Sequence, residues 1–171
     1  VRAWQKTYDI PAIITNCSNN FGPWQYPEKL IPLTVFQASR LKPIRIYGNG
    51  ENVRDWIYVL DHIAGLIAVA NKGENGETYC IGSNNTISNN DLVRNICNIL
   101  DDLKPENKPH SRLITYVPDR LGHDYRYAID TNYIKNSIGW ESKFNFKETL
   151  KFTVEWYLNH QEWSLNLIKK R

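Results

Sequence analysis

The chain has 171 residues, enough for one domain with a real core and short for two. Its 42% hydrophobic and 23% charged residues are ordinary for a globular protein, and no apolar run nears the roughly 18 residues that span a membrane. A net charge of +3, with no basic run or stripe, argues against nucleic acid as a partner. It suits a small anionic ligand, and it suits a plain solvated surface equally well.

Cys17, Cys80 and Cys97 are odd in number, widely spaced and never in a Cys-x-x-Cys pair. They read as the reduced thiols of a cytoplasmic protein, not as disulfides or a zinc site. His62, His110, His123 and His160 stand apart, none at metal-ligand spacing, so no metal is expected. No charged region followed by an apolar one suggests a signal peptide. Val1-Arg2-Ala3-Trp4, in a chain without Met, reads as part of something longer.

Val1 to Tyr8 reads as the tail of a helix. A β-branched run, Ile10 to Ile14, predicts a buried strand, and Thr15 to Pro23 predicts the polar loop that leaves it. Leu30 to Arg40 has helical spacing, with Pro32 tolerable in the first turn. Ile44 to Tyr47 predicts a strand closed by the Gly48-Asn49-Gly50 turn, and Trp56 to Val59 another. Asp61 is a candidate N-cap for a helix ending at Gly73. Thr78 to Gly82 is a buried strand by composition.

Ser88 and Asp91 open a helix whose core face is Leu92, Val93, Ile96, Leu100 and Leu103. Lys104-Pro105 and Lys108-Pro109 break up the next stretch, which reads as a surface loop to His110. Leu113 to Val117 predicts a strand stopped by Pro118. A short helix from Thr131 to Ile138 ends at Gly139, and Asn145 with Glu148 caps a longer one. Glu162 to Arg171 is helical by pattern. Strands and helices alternating at this spacing argue for an α/β fold. Trp56, Tyr58, Trp140, Trp156 and Trp163 fit core or interface positions and receive no role.

No Gly-x-x-Gly-x-x-Gly or Gly-x-Gly-x-x-Gly follows a strand, so these residues contain no dinucleotide pyrophosphate cradle. Asn19 and Asn20 place two uncharged amides in a strand-exit loop, where α/β sheets bind ligands. As turn formers they would serve equally. Arg54 and Arg120 sit at strand-loop junctions; a guanidinium there suits a diphosphate, and it also suits a bare surface.

Four motifs occur in order: Asn16-Cys17-Ser18-Asn19-Asn20-Phe21-Gly22-Pro23, Pro27-Glu28-Lys29-Leu30-Ile31-Pro32, Arg54-Asp55-Trp56-Ile57-Tyr58-Val59 and Asp119-Arg120-Leu121-Gly122-His123-Asp124. Over nearly the whole chain this resembles the C-terminal half of the dTDP-glucose 4,6-dehydratases, extended short-chain dehydrogenase/reductase enzymes. The last motif is the most specific. The resemblance implies the end of a Rossmann-type doubly wound fold interleaved with a smaller substrate-binding α/β lobe, as one partial domain over residues 1–171.

It also implies an NAD-dependent lyase acting on a dTDP-sugar in deoxysugar biosynthesis, homodimeric at full length. The catalytic Tyr-x-x-x-Lys pair would lie upstream, so no residue here is expected to be catalytic and the chain alone is expected to be inactive. Carried over by position, Asn19 would contact the hexose and diphosphate, and Asn20 would lie near the nicotinamide. Lys29 and Leu30 would bind substrate, Arg45, Ile46 and Tyr47 would line the nucleotide pocket, and Arg54 would hold the diphosphate. Asn89 would lie near the nucleoside, and Asp119, Arg120, Leu121, Gly122 and His123 would form the last binding loop. Arg45 and Leu121 each replace a proline that the resemblance leads one to expect. A UDP-sugar epimerase or decarboxylase of the same fold, or a non-catalytic nucleotide-sugar-binding module, is the alternative.

Overall fold

Pairing with a later strand, more than the apolar run, decides where the first strand lies. In the computed structural model β1 spans Ile14–Cys17 and pairs in parallel with β5, Thr78–Ile81, from Ile14↔Thr78 to Cys17↔Ile81. Pro11 has no amide hydrogen for a ladder, and Ile10 is exposed. Hence the strand expected at Ile10–Ile14 is shifted towards the carboxyl side. Thr15, Asn16 and Cys17 are strand, and Asn19–Phe21 forms β2, where a loop was expected. The structure describes residues 1–169; Lys170 and Arg171, the end of the expected last helix, lie outside the described residues.

The chain divides into two units. The first combines Val1–Asn20, Arg54–Thr86 and Tyr127–Phe144. It holds α1 (Arg2–Tyr8), β1, α3 (Val59–Lys72), β5 and α5 (Asn132–Ile138). Its core is Ile57, Val69, Tyr79, Ile81, Ile134 and Trp140. Asp61 is not the cap of α3, because the helix already begins at Val59. Its buried carboxylate instead accepts the backbone N–H groups of Lys143, at 3.0 Å, and Phe144, at 3.1 Å. Those bonds satisfy a buried charge and tie the chain after α5 to the start of α3.

The second unit combines Phe21–Val53, Ile87–Arg126 and the chain from Asn145 onward. Here α2 (Leu30–Ala38), α4 (Asn89–Leu103) and α6 (Phe146–Asn159) pack on one another, burying Ile31, Val35, Leu92, Val93, Ile96, Leu100, Leu150 and Val154. The expected caps are present. Ser88 Oγ accepts the Asp91 N–H, and Asn145 Oδ1 accepts those of Lys147 and Glu148. Helix α7 spans Gln161–Lys169. Strand β3 (Ile44–Tyr47) runs parallel to β7 (Ile114–Val117), from Ile44↔Ile114 to Tyr47↔Val117.

The expected surface loop before β7 is instead two 3-10 turns, Pro105–Asn107 and His110–Leu113, and His110 is fully buried. The carboxylate of Asp101 explains this: it accepts the His110 backbone N–H at 2.8 Å and contacts the imidazole Nδ1 at 2.5 Å. Strand β4 spans Val53–Tyr58, so Arg54 and Asp55 lie inside a strand and not ahead of one. Two very short strands, β6 (Thr86–Ser88) and β8 (Arg126–Tyr127), were not expected.

Candidate functional site

Parallel strands deliver their following loops to one edge, and the second unit gathers most of the expected residues there. The Gly48 N–H donates to Val117 O at 2.9 Å, so the loops after β3 and β7 depart side by side. Gly48 has φ +59, and a Cβ there would lie 2.8 Å from Asp119 Oδ2. Only glycine suits both the turn and that approach.

Asp119 in turn orders its own loop. Its carboxylate accepts the Arg120 N–H at 2.8 Å and meets His123 Nδ1 at 2.7 Å. The His123 hydrogen bond, then that from Arg120, holds the Asp119 carboxyl below the usual carboxylate range. Gly122 has φ +69, with open space around it. Its glycine answers a turn, not a close neighbour within the protein. Leu121 is fully exposed at the tip.

Thus fixed, the loop sets the guanidinium carbon of Arg120 5.1 Å from the centre of the Tyr47 ring. Tyr47 is 45% exposed, whereas its neighbour Ile46 is 2% exposed. The strand alternation is the reason: Ile44 and Ile46 face the core, Arg45 and Tyr47 face out. Of the three residues expected to line the nucleotide pocket, Arg45 and Tyr47 thus present their side chains outward and Ile46 turns its own inward. Ile46 can offer a ligand only backbone, and Arg45 lines a different cavity, beside Arg40 and Lys42.

The amino end of α4 meets the same turn. Asn89 N–H donates to Asn52 O and Asn90 N–H to Gly50 O, both at 3.0 Å. The Asn90 amide donates to Asn49 O at 2.8 Å and accepts from the Tyr116 hydroxyl at 3.1 Å. Sequence reading missed Asn90 and Tyr116 because their partners lie far away along the chain. Lys29 is exposed at the start of α2, and Leu30 is half-buried as its first residue.

In the first unit the paired amides differ. The Asn20 Nδ2 donates to Ser18 O at 3.1 Å and to Cys17 Sγ at 3.4 Å, and its Oδ1 meets His62 Nδ1 at 2.8 Å. Burial lowers the His62 pKa, disfavouring the charged ring. The side chain of Asn20 is thus committed to the fold, while that of Asn19 is half-buried with no hydrogen bond among the described residues. Arg54 is half-buried within β4. Among the described residues no group of three metal-binding side chains occurs, and no helix is long and apolar enough to cross a membrane.

The family model described as GDP-mannose 4,6 dehydratase matches residues 1–153. The chain belongs to that family. Within it, the chain is 48% identical over 167 residues to dTDP-glucose 4,6-dehydratase 1 of Escherichia coli (strain K12), covering 98% of this chain and 46% of that protein. The crystal structure of dTDP-glucose 4,6-dehydratase from Bacillus anthracis in complex with NAD superposes with a TM-score of 0.87. It is 46% identical, and the match covers 97% of this chain and 50% of that one. A Streptomyces venezuelae dTDP-glucose 4,6-dehydratase, solved with NAD bound, has a TM-score of 0.88 at 37% identity, covering 97% and 49%. The fold of this family member is therefore the Rossmann-type α/β fold of those enzymes, and the chain spans about half the length of the relatives it matches.

Proposed function

We propose that this chain is the nucleotide-sugar-binding part of an NAD-dependent dTDP-glucose 4,6-dehydratase, a cytoplasmic and homodimeric enzyme at full length. In this reading the first unit is the Rossmann share of the fold and the second is the smaller lobe. The reading rests on one observation above others: identity near one-half to dTDP-glucose 4,6-dehydratases over almost the whole chain.

The geometry supports specific roles. Tyr47 offers a ring for the nucleobase, and Arg120 brings a planar cation to the same edge for phosphate oxygens. Asp119 and His123 belong to the same binding loop, and their mutual hydrogen bond orders the backbone that presents Arg120. Asn89 lies on the first turn of α4, next to that edge. Leu121 and Gly122 shape the loop tip, and Lys29 and Leu30 contribute from the start of α2. In the other unit, Arg54 serves the diphosphate and Asn19 the sugar hydroxyls. Asn20 acts near the nicotinamide through its place in the backbone, since its side chain is already bonded.

NAD, where held by the complete enzyme, would supply hydride-transfer chemistry at the sugar, and the residues here would orient that sugar through its nucleoside diphosphate. These 171 residues contain no glycine-rich cradle for its pyrophosphate, and the Asn20 amide is occupied. They fit a nucleotide sugar and do not by themselves fit a dinucleotide.

The test has two arms. The purified chain, titrated calorimetrically, should bind dTDP more tightly than UDP and show no saturable NAD binding. The longer protein encoded by the same gene should convert dTDP-glucose into its 4-keto-6-deoxy sugar, while the 171-residue chain does not. Equal affinity for UDP and dTDP, or a longer protein inert towards dTDP-glucose, would overturn the reading.

A further inference from the structure

We propose that the second unit carries a further binding site, for an organic phosphate with an apolar body, at the opposite end of β3 from the Tyr47–Arg120 pair. A cavity of about 360 Å³ lies between the end of α2, the start of β3 and α7. Phe36, Arg40, Lys42, Arg45, Leu165 and Ile168 supply its chemistry. That volume falls within the range of small-molecule sites, roughly 300–1,000 Å³.

Charge is the first argument. Three cations line the cavity and, among the described residues, no carboxylate does. The ion pairs of Asp91, Asp101, Asp119 and Glu141 engage other cations and not Arg40, Lys42 or Arg45. Three like charges on one concave wall focus a positive potential there, which a bound anion would relieve. Two of them are guanidiniums, whose planar forks match phosphate oxygens.

Order and shape add to this. The Arg40 guanidinium carbon stands 5.1 Å from the centre of the Phe36 ring, so one cation is already held at the wall. Phe36, Leu165 and Ile168 form the apolar side, and Ile168 stays 36% exposed. A bare inorganic anion would leave that side uncovered; a phosphate ester with a short hydrocarbon body would use both.

Position separates this cavity from the edge described above. Lys42 and Pro43 lead into β3, while Tyr47 ends it. A strand rises about 3.3 Å per residue, which puts Lys42 and Tyr47 about 16 Å apart along the chain. Ligands of α/β sheets sit beyond the carboxyl ends of the strands, and this cavity is at the amino end. The inference does not rest on the proposed dehydratase activity.

The experiment is titration of the purified 171-residue chain with n-hexyl phosphate, inorganic phosphate and n-hexanol at low salt, with amide chemical shifts to locate binding. Hexyl phosphate should bind at least about tenfold more tightly than inorganic phosphate, and hexanol should not bind. Saturating dTDP should not displace it. The double variant Arg40→Glu/Lys42→Glu should lose about tenfold or more in affinity with its melting temperature kept, because both side chains are exposed. Leu165→Ser should remove only the advantage of the hexyl group. Sedimentation with phosphatidylcholine vesicles, with and without phosphatidic acid, distinguishes a lipid phosphate from a soluble ester. No saturable binding, displacement by dTDP, or indifference to the charge reversal would each overturn the site.

Discussion

Arg120 and Tyr47 are 73 positions apart in sequence (120 − 47), yet the guanidinium of one stands 5.1 Å from the ring centre of the other. Two features bring them together. The parallel register puts Tyr47 opposite Val117, so the loops after both strands leave in the same direction. Asp119 then bends its loop back over Gly48, where no side chain obstructs it. Both partners remain exposed, which leaves their outer faces for a ligand.

Replacing Arg120 should separate binding from folding. The side chain is exposed, so Arg120→Ala should leave the melting temperature within error. A lost hydrogen bond to a charged group costs about 1.5–3 kcal/mol, so dTDP affinity should fall by about tenfold or more. Arg120→Lys should recover part of this, since it keeps charge and loses the planar fork. Titration of all three proteins with dTDP decides the matter, and unchanged affinity in Arg120→Ala would remove Arg120 from the site.

Asn19 and Asn20 should respond differently to the same substitution. In Asn20→Asp an oxygen would replace the Nδ2 that donates to Ser18 O, facing one acceptor with another. Losing that bond costs about 1–3 kcal/mol, which for a chain of this size is roughly 2–10 °C in melting temperature. The melt belongs at pH 8, where the lowered His62 pKa leaves the ring neutral and unable to compensate with charge. Asn19→Asp should keep its melting temperature. If Asn19 faces a diphosphate sugar, the added charge at about 5 Å is unfavourable by roughly 3 kcal/mol before screening, enough for a clear loss of affinity. Equal melting temperatures for the two variants would contradict the observed difference in their hydrogen bonding.

What the sequence disclosed about this molecule divides by range. Caps are local, so Ser88 and Asn145 were legible from two or three neighbouring residues. Alternation is local too, but its consequence for Ile46 needs the knowledge of which face is covered. Long-range pairing was not legible. The apolar run at Ile10–Ile14 pointed to a strand, and only the register with Thr78–Ile81 shows that the ladder begins where the run ends. His62 reaching Asn20, Asp61 holding the chain at Lys143, and His110 buried against Asp101 share that cause: each polar side chain answers a partner that no spacing rule connects to it. The Asp119–His123 loop was read from a motif, while its attachment to the Gly48 turn emerges only in three dimensions.

Asp101 and His110 predict a pH-dependent share of stability. Burial pushes the Asp101 carboxyl up, but the backbone and side-chain hydrogen bonds from His110 outweigh it and leave the pKa lowered. A lowered carboxylate pKa stabilises the fold above the unfolded value, near 3.9, and that contribution fades as pH falls through the folded value. Asp101→Ala removes the acceptor for the buried His110 N–H and imidazole, and each group left unsatisfied costs about 1–3 kcal/mol. Thermal melts of both proteins should therefore differ clearly at pH 7, with the gap beginning to narrow only below about pH 4. A difference that persists unchanged into acid would show that the carboxylate charge plays no part.

Cys97 should be the last thiol in the chain to react. It lies on the buried face of α4, and burial first, with Asp101 adding to it, pushes its thiol up to about 12. The thiolate is the nucleophile, so at pH 8 this side chain presents almost none, and no solvent reaches it. Cys17 and Cys80 are only half-buried. Burial raises Cys80 as well, followed by the nearby Asp130 charge, so Cys80 should react slowly but still ahead of Cys97. Adding a disulfide reagent to the native chain at pH 8 should give two observable phases at most, with Cys97 modified only at the rate at which α4 opens. In denaturant all three should react together. Peptide mapping of the native reaction makes the check: modification of Cys97 as fast as that of Cys17 would mean that α4 is not packed as described.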